Sequence, residues 1–69
     1  MKARINGKDV ELDDPTGLLD YLARLGLDAR AVAVELNGEI LQRDQYEAAV
    51  LHDGDVLEIV RMVGGGTGS

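Results

Sequence analysis

The sequence predicts an α+β fold in which one short helix lies across a mixed sheet of four or five strands. Three observations carry that prediction. Two Asn-Gly dipeptides, Asn6-Gly7 and Asn37-Gly38, each follow a segment of alternating polarity. One leucine-rich stretch, Leu18 to Leu25, keeps helical spacing and ends at Gly26. A last alternating run begins after Asp53-Gly54-Asp55 and leads into consecutive glycines.

The first strand spans Lys2 to Asn6, with Ala3 and Ile5 on one face and Lys2, Arg4 and Asn6 on the other. Asn-Gly favours a two-residue type I′ turn because both central residues need positive φ. Val10 and Leu12 continue a returning strand, so the first twelve residues form a hairpin. Asp13-Asp14-Pro15-Thr16 then interrupts the sheet, since Pro15 cannot sit in a central ladder. Asp14 or Thr16 can cap the helix that follows. Leu18, Leu19, Leu22 and Leu25 form its apolar stripe, and Gly26 supplies a left-handed stop. A helix of about two to three turns is unstable alone in water, so this stripe must pack on the sheet.

Ala31 to Leu36 alternates again, with Val32, Val34 and Leu36 on one side. Asn37-Gly38 turns the chain into a short strand at Glu39-Ile40-Leu41. Gln42 to Val50 is irregular, with Tyr46 and Val50 as its core contacts. After the Asp53-Gly54-Asp55 turn, the strand Val56 to Val63 puts Leu57 and Ile59 toward the helix. Val56, Val60 and Met62 then lie on the opposite, open face. The two ends of the sequence pair centrally in this arrangement.

Composition narrows the function. The chain has 69 residues, enough for one small domain. It has no cysteine, which excludes disulfides, thiolate metal sites and a thiol nucleophile. The net charge is −6, and an acidic surface repels phosphate backbones, so nucleic acid is not the expected partner. No segment reaches the ~20 apolar residues of a membrane span, and Met1 to Asn6 lacks a signal-peptide core. A cytoplasmic protein is expected, with no membrane partner.

Catalytic chemistry finds little support. His52 is the single histidine and has no second His or Cys with which to hold a metal. The carboxylate pairs Asp13-Asp14 and Asp53/Asp55 occupy turn or cap positions, where Asp bonds local backbone. Ser69, Thr16 and Thr67 have no His/Asp arrangement to activate them. The chain is therefore expected not to be an enzyme, and to hold no metal and no cofactor.

Gly64-Gly65-Gly66 stands apart. The run is no phosphate loop, because neither a Lys-Ser/Thr pair nor a helix follows. Read alone, such glycines also occur at frayed termini. Without Cβ atoms, however, a backbone can enter a narrow channel that side chains would block. The expected organisation is a folded domain over residues 1–63 and a flexible glycine-rich tail over 64–69.

Taken in order, several segments resemble the ThiS family of sulfur carriers in thiamine biosynthesis. They are Ile5-Asn6-Gly7, Thr16-Gly17-Leu18-Leu19, Val32 through Ile40, Arg43-Asp44-Gln45-Tyr46, Asp53 through Ile59, and the glycines. The likeness covers residues 1–66 and implies a β-grasp, ubiquitin-like fold. It further implies that a ThiF/MoeB-type adenylyltransferase uses ATP to adenylate the carboxylate of Gly66, with Gly65 beside it. A persulfide sulfur donor then replaces AMP, leaving a thiocarboxylate from which thiazole synthase (ThiG) takes sulfur. Val56, Val60, Met62 and Gly64 are the expected partner-binding residues, and the free carrier is expected to be a monomer.

The sequence departs from the family where Thr67-Gly68-Ser69 follows the diglycine. While those residues remain, the Gly66 carbonyl is an amide, so trimming to Gly66 is expected, with Gly65 as the alternative terminus. Other readings are a related carrier for molybdopterin or cysteine-type sulfur transfer, a ubiquitin-like protein tag, and a plain binding module. Molybdopterin carriers have a longer middle and a proline before the diglycine, whereas Arg61-Met62-Val63-Gly64 has none.

Overall fold

The computed structural model describes residues 1–12 and 15–62, and it begins with the expected hairpin. Strand β1 (Lys2–Ile5) pairs antiparallel with β2 (Lys8–Glu11). Asn6 at φ 52° and Gly7 at φ 81° make the tight turn between them. Leu12 lies one residue past β2 and is buried, and its N–H donates to the Met1 carbonyl at 2.8 Å.

A two-residue strand, β3 (Thr16–Gly17), precedes helix α1 (Leu18–Arg24). The helix N-cap is Gly17, with no side-chain cap bond. Thr16 is therefore not the cap: it is buried in β3, which pairs with β6 (Val50–Leu51) in a small second sheet. Asp14, the other expected cap, lies outside the described residues, as does Asp13.

The helix buries Leu18, Tyr21 and Leu22, positions i, i+3 and i+4 of one face. Leu19 and Leu25 do not belong to this stripe and are exposed. Leu19 is one step around the helix, and Leu25 follows the last turn. Gly26 at φ 73° ends the helix as expected. Its N–H donates to the Ala23 carbonyl at 3.0 Å, and that of Leu27 to Leu22 at 2.9 Å. This pair of bonds is a Schellman cap, and it brings half-buried Leu27 against the core.

Ala29–Ala31 form a single 3₁₀ turn, capped by the Asp28 carboxylate accepting from the Arg30 N–H at 2.9 Å. Strand β4 (Val32–Leu36) thus starts one residue later than the alternation suggested. Asn37 (φ 51°) and Gly38 (φ 87°) turn the chain into β5 (Glu39–Ile40), which stops before Leu41. A second 3₁₀ turn, Arg43–Gln45, carries a reciprocal cap between Gln42 and Gln45.

Tyr46 joins the core as expected, and its hydroxyl donates to the Val32 carbonyl at 3.1 Å. Val50 does not join it: it is 38% exposed, whereas Leu51 beside it is fully buried. Pairing of β6 with β3 sets that alternation, because neighbouring strand residues face opposite ways.

The last strand, β7 (Val56–Arg61), occupies the middle of the main sheet, whose order is β2-β1-β7-β4-β5. It runs parallel to β1 and antiparallel to β4, so the two ends of the described chain do pair centrally. Leu57 and Ile59 point toward α1 with Ala3, Ile5, Val32 and Val34, forming the buried layer under the helix. This is a β-grasp. Val63, expected to close β7, lies outside the described residues. Among the described residues no helix is long and apolar enough to cross a membrane.

Candidate functional site

The strand that leads toward the glycines is held more tightly than its ladders alone would hold it. Its neighbour β1 ends at Ile5, yet Asn6 continues the pairing. The Asn6 backbone N–H donates to the Leu57 carbonyl at 2.9 Å. Its carboxamide then brackets Ile59: Oδ1 accepts from the Ile59 N–H at 2.7 Å, and Nδ2 donates to the Ile59 carbonyl at 3.3 Å. A carboxamide carries one acceptor and one donor side by side, so it can stand in for a peptide group of the absent strand.

Asn37 does the equivalent on the other flank. Its backbone N–H donates to the Val56 carbonyl at 2.8 Å, and its Oδ1 accepts from the Val56 N–H at 2.9 Å. Its Nδ2 reaches Asp55 Oδ1 at 3.1 Å. Both hairpin turns therefore fasten the same strand through their asparagine side chains. The sequence carried a usable signal, because Asn rather than Asp or Gly occupies the first turn position both times. Past β7, the Met62 N–H donates to the Ala31 carbonyl at 2.9 Å. Gly64, Gly65 and Gly66, the expected reactive and tail positions, lie outside the described residues.

The open face of the sheet is partly apolar. Val60 is 61% exposed and sits opposite Ala33, while Val56, also exposed, sits beside Arg4. Ile40 on β5 is 72% exposed, the largest exposure of any bulky apolar side chain among the described residues, and was not among the expected contact residues. A shallow groove of about 310 Å³ runs over this face, bordered by Ala33, Glu35, Ile40, Glu58 and Val60. Met62, half exposed, borders a different hollow at the end of the sheet, with Gly26, Leu27 and Arg61. The structure thus brings Val60 and Ile40 together and leaves Val56 and Met62 on either side of them along the strand.

The expected turn carboxylates serve the backbone. Asp53 Oδ1 accepts from the Lys2 N–H at 2.7 Å, and Asp55 Oδ2 from the His52 N–H at 2.7 Å. His52 is exposed, with its ring 3.9 Å from Asp55. Among the described residues no group of three or more His, Cys, Asp or Glu could hold a metal ion. Asp28 is held below the usual carboxylate range by the Arg30 N–H and guanidinium. Burial pushes the Tyr21 phenol up.

A β-grasp whose central strand precedes a run of glycines in the sequence is the arrangement that the resemblance implied. A sequence model of the ThiS family matches residues 3–66, which is nearly the whole chain. The chain belongs to the ThiS family. It is 45% identical over 64 residues to the sulfur carrier protein ThiS of Bacillus subtilis, covering 91% of this chain and 97% of that one. The thiazole synthase of Paramagnetospirillum magneticum is 42% identical over 67 residues, but this chain spans only 21% of its length. The crystal structure of the thiamine biosynthesis protein ThiS from Geobacter metallireducens superposes with a TM-score of 0.81 at 36% identity. That match covers 96% of this chain and all of that one.

Proposed function

We propose that this ThiS-family sulfur carrier of thiamine biosynthesis holds sulfur on its main chain, at the carboxylate of Gly66. A carboxylate oxygen of Gly66 attacks the α-phosphorus of ATP in the site of a ThiF/MoeB-type adenylyltransferase, and pyrophosphate leaves. The terminal sulfur of a persulfide donor attacks the resulting acyl adenylate, and AMP leaves. The new bond is carbon–sulfur. A thiol then attacks the donor's inner sulfur and cleaves the S–S bond carried over from the persulfide, so the thiocarboxylate leaves and the thiol and the donor sulfur are joined as a disulfide. Thiazole synthase takes the sulfur.

In this reading the carrier is not itself an enzyme and needs no cofactor of its own. It works in the cytoplasm and is a monomer when free. Residues 1–63 are the delivering body, and 64–69 are the tail. Gly64, Gly65 and Gly66 lack Cβ atoms, so the backbone can thread a narrow channel, and the partner supplies catalysis by positioning. Val56, Val60 and Met62 supply apolar docking area along the strand that leads to the tail.

The observation that carries the reading is the family match, which runs through Gly66 and leaves Thr67-Gly68-Ser69 outside it. Similarity to thiazole synthases supports the same metabolic setting. The test uses chains ending at Gly66, at Gly65 and at Ser69, each incubated with the adenylyltransferase, ATP and a persulfide source. Intact mass should show sulfur replacing oxygen in the Gly66-terminated chain and in neither of the others. Exchange in the Ser69-terminated chain without trimming, or in none of the three, would overturn the proposal.

A further inference from the structure

We infer that the open sheet face docks on a basic, apolar-lined surface of the adenylating partner, with one partner arginine seated between Glu35 and Glu58. The inference rests on the carrier reading and specifies the chemistry of the partner's contact surface. Glu35 and Glu58 sit directly opposite one another on β4 and β7 and share the open face. Residues so placed have Cβ atoms about 4.5–5.5 Å apart, and like charges there destabilise the pair. Both are half-buried. The ion pairs among the described residues are Arg4 with Asp9, Arg30 with Asp28 and His52 with Asp55, and none involves either glutamate. Neither carboxylate takes part in the hydrogen bonds of the described residues.

The surroundings narrow the occupant. Ile40 faces Glu35 across β4 and β5, and Ala33 and Val60 form the next pair along the strands. The two glutamates therefore line a shallow groove whose other walls are apolar. A planar guanidinium donates to two carboxylates at once from a fixed fork, which a lysine ammonium does less well. Apolar neighbours exclude water around such a contact and strengthen it.

Charge also favours the ATP-handling partner over the sulfur acceptor. A chain of net charge −6 must deliver a carboxylate to a polyphosphate, and a basic docking surface offsets that repulsion. In the free chain the two glutamates face each other across β4 and β7 with no ion-pair partner among the described residues, an arrangement that makes sense once a cation enters between them.

The test is pyrophosphate exchange catalysed by the adenylyltransferase of the same organism, with the chain ending at Gly66 as substrate. Replacing both acids, E35Q/E58Q, should raise KM for the carrier at least about tenfold with kcat unchanged, because the partner's arginine is left unpaired. The melting temperature should hold or rise, which separates docking from folding. E35K/E58K should lose exchange more severely. An unchanged KM for E35Q/E58Q overturns the inference while leaving the carrier reading intact. So does normal exchange combined with impaired sulfur delivery to thiazole synthase. Absence of exchange with the unaltered carrier overturns the carrier reading and the inference together.

Discussion

Replacing Asn6 by glycine isolates the carboxamide clamp on the last strand, since glycine keeps the turn's left-handed backbone. What N6G removes is one short bond to the Ile59 N–H (2.7 Å) and one long bond to its carbonyl (3.3 Å). Net hydrogen-bond contributions run from about 0.5 to 1.5 kcal/mol, so the short and long bonds together are worth about 2 kcal/mol. Glycine also frees the unfolded chain, which adds about 0.4–1 kcal/mol of destabilisation. The sum is roughly 2–3 kcal/mol, and at about 4–8 °C per kcal/mol for a domain of this size Tm should fall by roughly 10–20 °C. N6A loses the same clamp and keeps a Cβ in the left-handed region, at a cost of about 1–2 kcal/mol relative to glycine that outweighs the entropy glycine adds to the unfolded chain, so it should melt no higher than N6G. Thermal unfolding followed by circular dichroism gives both values, and hydrogen exchange at the Ile59 amide reports the clamp directly. An N6G protein melting within about 3 °C of the parent, with Ile59 equally protected, would refute the reasoning.

The remaining predictions address the core, the pH response and the open face. L51A should lower stability by about 2–5 kcal/mol in urea unfolding and V50A by about 1 kcal/mol or less; equal effects would contradict the burial of Leu51 over Val50. Y46F deletes the buried bond to the Val32 carbonyl and should cost about 1–2 kcal/mol, read from the same curves. Burial raises the Tyr21 phenol above its ordinary value of 10.0, so its contribution to stability is full below that pH and is lost as pH rises through the folded value. Alkaline unfolding should accordingly be less steep in Y21F than in the parent, as measured by melts from pH 8 to 11. V60D should fold normally and raise KM for the carrier in pyrophosphate exchange, since Val60 is 61% exposed.

Much of the main sheet was legible because its determinants are local. Each Asn-Gly turn dictates a hairpin with little help from the rest of the chain. Alternation then assigns Leu57 and Ile59 to one face of β7 and Val56 and Val60 to the other, and the structure agrees. The errors fall where a residue's neighbour is distant in sequence. Thr16 reads as a helix cap until β6 arrives to pair with it, and the same pairing turns Leu51 inward and Val50 outward. Tyr21 escaped the leucine stripe for a related reason. A four-leucine pattern assigns the face by residue type, whereas a helix of only seven residues buries whichever positions i, i+3 and i+4 meet the sheet.

The candidate site divides along the same line. The glycines proposed as its reactive end could be picked out in the sequence, because the absence of side chains sets them apart. The groove could not, since Glu35, Ile40, Glu58 and Val60 become neighbours only when β4, β5 and β7 assemble. The asparagine clamps lie between these cases. Their positions were plain in the sequence, but a turn asparagine with φ near 50° is already explained by its own backbone. Only the central placement of β7 gives those side chains a second task. That second task connects the fold to the proposed function: each hairpin turn closes its own loop and also fixes the strand that precedes the glycines in the sequence.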